Sequence, residues 1–330
     1  MTRSAQRREG EAERGQTEKH KIARHNRRQA GSWAENGHAA FPAALEAFWS
    51  RVGQAPRLGI TGPPGAGKST LVDELARALR KEERTVGVLA VDPSSPLTGG
   101  ALLGDRIRME DHTTDPGVFI RSMASRGSGG GMARAAVDAM DVMDAFGMDE
   151  VLLETVGVGQ AEYDVVAAAD TVLVVLCPGA GDGVQALKSG LLEVADVIAI
   201  NKADMPGADR LATDMEESVH LRTAGRDVWT PPVVTCSAGR RDGVDRVLAA
   251  IRSHREHLTD HLAEHRRGKR VQQVRQVVGL RLDHDLWVAG KCAARVEAHL
   301  TEGVTPYAAA TQLTQDLVLR FGDLAQEGDA

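Results

Sequence analysis

Cysteine, long apolar runs and surplus positive charge are what this chain has little of. Its three cysteines, Cys177, Cys236 and Cys292, stand isolated and far apart. That spacing fits no zinc ribbon and no disulfide framework, and it suits reduced thiols. No apolar run approaches the roughly 18–20 residues that cross a bilayer. The first residues lack the apolar core of a secretory signal. Lys and Arg number 40 against 46 Asp and Glu, a formal net charge of −6, which argues against broad nucleic-acid binding. The expectation is a cytoplasmic protein engaged with neither membrane nor nucleic acid.

The 330 residues are 42% hydrophobic and 26% charged, room for one large α/β domain and a smaller appendage. Residues 1–40 read as a polar tail, disordered or loosely helical. Their first 30 carry nine Lys or Arg, four Glu and almost no large apolar side chain, so they cannot bury a core of their own. The glutamates Glu9, Glu11, Glu13 and Glu18 also count against an organellar transit peptide. "FPAALEAFW" at 41–49 reads as an amphipathic entry helix to a domain over 41–250.

From residue 56 short apolar runs alternate with helical periods. "RLGIT" (57–61), "TVGVLAVD" (85–92), "GVFIRS" (117–122), "EVLLE" (150–154), "TVLVVL" (171–176), "DVIAIN" (196–201) and "PVVTCS" (232–237) read as strands. Most are continuously apolar, as strands covered on both faces are. Strands separated by helices predict a doubly wound, mostly parallel α/β sheet. Beyond about residue 240 the strands stop, and 251–330 reads as a helical arm. Val271, Val274, Val278 and Leu282 make a stripe on it that either the main domain or a second subunit must cover.

"GPPGAGKS" follows the first strand and precedes a helix, the context that the phosphate-loop pattern G-x-x-x-x-G-K-[ST] requires. Glycines let successive amides curl inward toward phosphate oxygens, and the helix adds its positive end. The cradle comprises Gly62, Pro63, Pro64, Gly65, Ala66, Gly67, Lys68, Ser69 and Thr70. Lys68 supplies a cation to the β- and γ-phosphates, and the Ser69 hydroxyl a ligand to Mg²⁺. "NKAD" at the end of the sixth strand selects the base. Asp204 can accept two hydrogen bonds from guanine N1 and N2, where adenine has no such donor pair. Asn201 would steady the loop, and the stem of Lys202 would stack on the base. Ser237, Ala238 and Gly239 can offer an amide to guanine O6. The ligand expected is GTP or GDP with Mg²⁺. Asp92, Asp105 and Glu154 are the acids placed to hold the metal, directly or through water. Gly157 is placed to give its amide to the γ-phosphate. The loops 93–110 and 155–165 would then sense that phosphate.

"GPPGAGKST", "LAVDPSSPLTGGALLGDRIRM", "ETVGVGQAEYDV", "PGAGDGVQALKSGLLEVADVIAINKAD" and "TPPVVTCSA" together resemble the MeaB/MMAA/ArgK-type GTPases over residues 56–255. The resemblance implies a SIMIBI-class G domain with helical extensions and a homodimer. It also implies a GTP-dependent chaperone that gates adenosylcobalamin loading of an acyl-CoA mutase, methylmalonyl-CoA mutase above all, and protects or reactivates it. Hydrolysis would be slow in the isolated protein. Carried over, Lys68, Ser69, Asp92, Asp105 and Glu154 form the Mg²⁺ and γ-phosphate constellation. Asp182 and Lys188 belong to a further switch loop. The family's helical lead-in is not recognisable in residues 1–40.

Two alternatives stand beside this. One is a SIMIBI metallochaperone for nickel, suggested by His254, His257, His261 and His265 at helical spacing. Ile251, Leu258 and Leu262 run beside them, so the stripe reads rather as the solvated rim of an amphipathic helix. The other is a transport-linked kinase, which would need a base for an attacking hydroxyl.

Overall fold

A computed structural model describes residues 26–93, 112, 114–125, 131–155, 168–179, 190–225, 228–289 and 292–315. Seven strands, β1 (Arg57–Thr61), β2 (Val86–Pro93), β3 (Val118–Ser125), β4 (Glu150–Glu154), β5 (Thr171–Leu176), β6 (Val197–Ile200) and β7 (Val233–Thr235), form one sheet in the order β3-β2-β4-β1-β5-β6-β7. Every pairing is parallel. The site-bearing strands β1, β4 and β5 are central and wholly buried.

Both faces are covered, so alternate residues of one strand enter different cores. In β4, Leu152 packs with Leu71, Leu75 and Leu79 of α3 (Lys68–Lys81) and with Val247 and Ile251 of α7 (Val244–Leu258). Val151 and Leu153 face the other way, toward Met140 and Met143 of α4 (Gly131–Ala145) and Met215 of α6 (Ala208–Thr223). Burying each such Leu or Met contributes about 1.5–3 kcal/mol. This two-sided demand is why the strands read as unbroken apolar runs. A short helix, α5 (Leu191–Val194), leads into β6.

Two expectations about boundaries change. Residues 26–36 form a helix, α1, inside the stretch expected as a polar tail. Ala30 and Ala34 are buried in a third core with Phe41 and Phe48 of α2 (Phe41–Phe48) and Val142 and Ala145 of α4. The polar composition hid a helix whose one small-residue face is the buried one. The domain also does not end at residue 250. The first compact unit runs to Arg270 and the second begins at Val271. α7 covers the sheet, and the first residues of α8 (Leu262–Asp283) are tied to it by charge.

That tie is a buried ionic cluster at the N-terminal ends of the strands. Arg57, which opens β1, reaches Asp141 at 2.6 Å and Asp144 at 3.3 Å. Arg270 grips both oxygens of Asp141, at 2.7 and 2.6 Å. Arg266 grips both oxygens of Asp170, at 2.9 and 2.6 Å, while Asp170 also accepts the Arg57 amide. Asp144 accepts the amides of Gly53, Gln54 and Ala55. Burial opposes the Arg57 charge, yet Asp141, Asp170 and Asp144 together hold its pKa above the ordinary value.

The second unit contains the rest of α8, a π-helical turn His284–Ala289, α9 (Cys292–Thr301) and a helix over 306–315. Leu286, Trp287, Val296, Leu300 and Leu313 line an apolar cavity of about 250 Å³ within it. Among the described residues no helix is long and apolar enough to cross a membrane.

Candidate nucleotide site

The site is built where β1 stops and α3 starts. The loop between them needs glycine for two reasons. Gly62, Gly65 and Gly67 have φ of 140°, 78° and 87°, left-handed territory that L side chains avoid. A Cβ on Gly62 would lie 2.0 Å from the Val175 carbonyl oxygen, and one on Gly67 would lie 2.4 Å from Asn201 Nδ2. The loop is therefore pressed against β5 and against the "NKAD" turn.

Lys68 is the first residue of α3 and is buried. Its Nζ donates to the carbonyls of Gly62 and Pro63, at 2.8 and 3.0 Å. The ammonium is thus held inside the curl of the loop. Ser69 Oγ donates to Glu154 Oε1 at 2.6 Å, and both residues are buried. Glu154 closes β4, next to β1 in the sheet, and so stands beside the start of α3. A hydroxyl and a carboxylate in contact are hard oxygen donors of the kind Mg²⁺ takes, so this pair fits the ion. Thr155, the next residue, bonds Thr61 at 3.1 Å and braces the same corner. Asp92 lies at the end of β2, in register with Ala124 of β3. Asp105, Gly157, Asp182 and Lys188 fall outside the described residues.

The "NKAD" turn and the glycine loop before α3 meet through two side chains, Asn201 and Lys202. Asn201 is buried; its Nδ2 donates to the Ala66 carbonyl at 2.9 Å, and its Oδ1 accepts the Ala238 amide at 3.0 Å. Lys202, at φ 57°, sends Nζ to the Gly65 carbonyl at 2.7 Å. Asp204 accepts a short hydrogen bond from the Ser237 hydroxyl and pairs with Arg240 at 3.1 Å. The Ser237 hydroxyl first, and the Arg240 and Lys202 charges after it, hold the Asp204 carboxyl below the usual range. Of the three residues expected to offer an amide to guanine O6, two have theirs engaged and Gly239 is the third. The Ser237 amide donates to Asp242 and the Ala238 amide to Asn201, so both are spent within the loops. Arg240 carries no motif letter, and its neighbourhood to Asp204 was invisible in the sequence.

The histidine stripe does not form as expected. α7 ends at Leu258 and α8 begins at Leu262, so the four residues do not share a helix. His254 is buried, not solvated, and lies between Thr171 Oγ1 at 3.0 Å and Asp196 Oδ1 at 3.3 Å. Its ring and that of exposed His257 both pack on Trp229. Among the described residues no group of three or more His, Cys, Asp or Glu side chains could hold a metal ion.

Known proteins resemble the chain over nearly all of the described structure. Residues 29–291 match the family described as "Methylmalonyl Co-A mutase-associated GTPase MeaB". A putative GTPase of Pyrococcus abyssi is 45% identical over 305 residues, 86% of this chain and 90% of that protein. GTPase ArgK of Escherichia coli is 41% identical over 235 residues, 70% of this chain and 69% of that protein. The mitochondrial methylmalonic aciduria type A homolog of Mus musculus is 36% identical over 205 residues, 61% of this chain and 49% of that protein. Among solved structures, one titled "LAO/AO transport system kinase" superposes with a TM-score of 0.67 at 30% identity, covering 91% of this chain and 97% of that one. The chain is a GTPase and belongs to the MeaB family.

Proposed function

We propose that this GTPase is a nucleotide-switched chaperone of an adenosylcobalamin-dependent acyl-CoA mutase, with methylmalonyl-CoA mutase as the favoured partner. The observation that supports it most is the match to a family described by association with that mutase. In this reading GTP enters the cradle Gly62–Thr70, whose amides and Lys68 take the phosphates. Ser69 and Glu154, with Asp92 and Asp105, hold Mg²⁺, which neutralises charge on the β- and γ-phosphates when bound. Asp204 selects guanine. Asn201 keeps the base and phosphate pockets at a fixed distance because it bonds both loops. Gly157 senses the γ-phosphate, and the segment with Asp182 and Lys188 carries its presence to the mutase. The protein works as a homodimer in the cytoplasm.

Intrinsic hydrolysis is slow on this reading. The arginine that contributes about 10³–10⁵ in rate in related switches is assigned to no residue of the chain. The test uses purified mutase and a non-hydrolysable GTP analogue. Co-elution that depends on the analogue, and GTP turnover that rises when the mutase is added, are expected. Rapid turnover by the protein alone, or no complex in any nucleotide state, would overturn the chaperone role. Transfer of the γ-phosphoryl to a hydroxyl acceptor instead of water would favour the activity named in the structural neighbour's title.

A further inference from the structure

The loop that follows β7 is unusually closed. Ser237 and Asp242 exchange amides in an antiparallel bridge, at 2.9 and 3.2 Å. Ala238–Arg240 make a 3₁₀ turn between them, and Arg241 sits left-handed at φ 60°. Such a short, doubly bonded loop fixes where its side chains leave the backbone. Two adjacent arginines leave it in different directions. Arg241 bonds Glu74 of α3 at 3.1 Å, tying the loop to the helix that Lys68 begins. Arg240 reaches across to Asp204 Oδ2 at 3.1 Å, with its own side chain largely exposed. Ser237, in the same loop, holds the other oxygen of Asp204.

We infer that Arg240 is a specificity-determining latch on the base pocket: it pairs with the Asp204 oxygen that guanine needs and must yield that oxygen to the base. This rests on the reading of Asp204 as the residue that selects guanine. Guanine offers N1–H and the N2 amine as neighbouring donors, and a carboxylate receives such a fork through both oxygens. Ser237 is neutral and can stay on Oδ1 beside one of them. Arg240 is a cation already spending part of the Asp204 charge, so it competes with the incoming base. An exposed ion pair is weak and screened by salt, which suits a latch that a ligand must open. The competition concerns the base alone. It acts equally on GDP and GTP, and it leaves adenine nucleotides untouched.

The test measures binding of fluorescent-labelled GDP, GTP, XDP and ADP to the full-length protein at low and high salt. It compares wild type with Arg240→Ala, Arg240→Gln and Asp204→Ala, and with Arg240→Ala combined with Asp204→Ala. Removing the cation is expected to tighten GDP and GTP binding alike, by about two- to five-fold at low salt. The gain shrinks as salt rises and vanishes in the Asp204→Ala background. Arg240→Gln behaves as Arg240→Ala, because the charge and not the bulk is the competitor. Weaker GDP binding in Arg240→Ala would make Arg240 a base-holding residue and overturn the latch. An unchanged affinity at low salt would overturn it as well. Failure of the underlying reading is separate: wild type would then bind GDP no better than XDP or ADP, and Asp204→Ala would change nothing.

Discussion

On the proposed reading, removing the Lys68 ammonium takes a cation from the phosphates and leaves the base pocket intact, whereas removing the Asp204 carboxylate does the reverse. Lys68→Ala should weaken GTP, XTP and ATP alike, by about 10- to 100-fold for the loss of charged hydrogen bonds. Asp204→Ala should lower GTP affinity by a similar factor and erase the preference for GTP over XTP. Titrations with all three nucleotides separate the two, and retained GTP-over-XTP discrimination in Asp204→Ala would contradict its role. The places of both residues in the fold could be read in the sequence because each lies in a short contiguous motif after a strand. The pair His254 and Asp196 could not, since burial decides their chemistry. Burial pushes Asp196 up to about 6 and His254 down to about 4. The Val172 amide, Lys269 and Arg222 oppose the rise at Asp196, while His257 and His265 reinforce the fall at His254. Folding therefore gains a proton on Asp196 between pH 3.8 and 6 and loses one from His254 between pH 4 and 6.5. The two slopes oppose and nearly cancel in wild type. Asp196→Asn removes the acid and leaves the depressed imidazole, whose stabilisation is present above its unfolded value and is lost as pH falls toward 4. Urea unfolding at neutral pH and at pH 4.5 should show the variant losing more stability on acidification than wild type does. Equal losses would mean that the pair is not titrating as its burial dictates.

At the scale of elements, the strands were legible and the ties between helices and sheet were not. "EVLLE" and "TVLVVL" match β4 and β5 residue for residue because a strand buried on both faces has an unbroken apolar middle. The burial of α1 against the domain was not foreseen because the alanines on its inner face make no large apolar stripe. The ionic cluster was missed for another reason. Asp141 precedes Arg270 by more than a hundred residues, and a charge in an amphipathic pattern is read by default as solvated. Asp141 is fully buried, with Arg57 and Arg270 on its two oxygens. Asp141→Ala would leave Arg57 charged and partly uncompensated in the interior, which costs about 3–5 kcal/mol. The exposed pair Arg252–Glu82 is the comparison: breaking it with Glu82→Ala should cost no more than about 1 kcal/mol. Denaturant midpoints for the two variants should differ widely. A small loss for Asp141→Ala would show that the cluster is relieved by water and that α8 is not anchored there.

At the scale of the whole molecule, division at Arg270 separates two kinds of surface. Every described residue of the nucleotide cradle belongs to the first unit. The second unit holds an apolar stripe, with Val271, Val274 and Val278 about half exposed or more, together with exposed Trp287 and Val288. Valines three and four residues apart lie on one helical face, and a helix in water does not keep such a face bare without a partner. The homodimer proposed above supplies one, since a two-fold interface pairs a surface with its own copy. Replacing Val274 and Val278 by Glu would set like charges against each other across that seam. Sedimentation should then find wild type as a dimer and the double variant as a monomer, with GDP affinity held because neither valine is a residue of the cradle. A wild-type protein that sediments as a monomer at micromolar concentration would remove the dimer. A double variant that still dimerises would move the seam off this stripe. Loss of GDP binding along with the dimer would be informative in a different way. It would mean that nucleotide binding and assembly depend on each other.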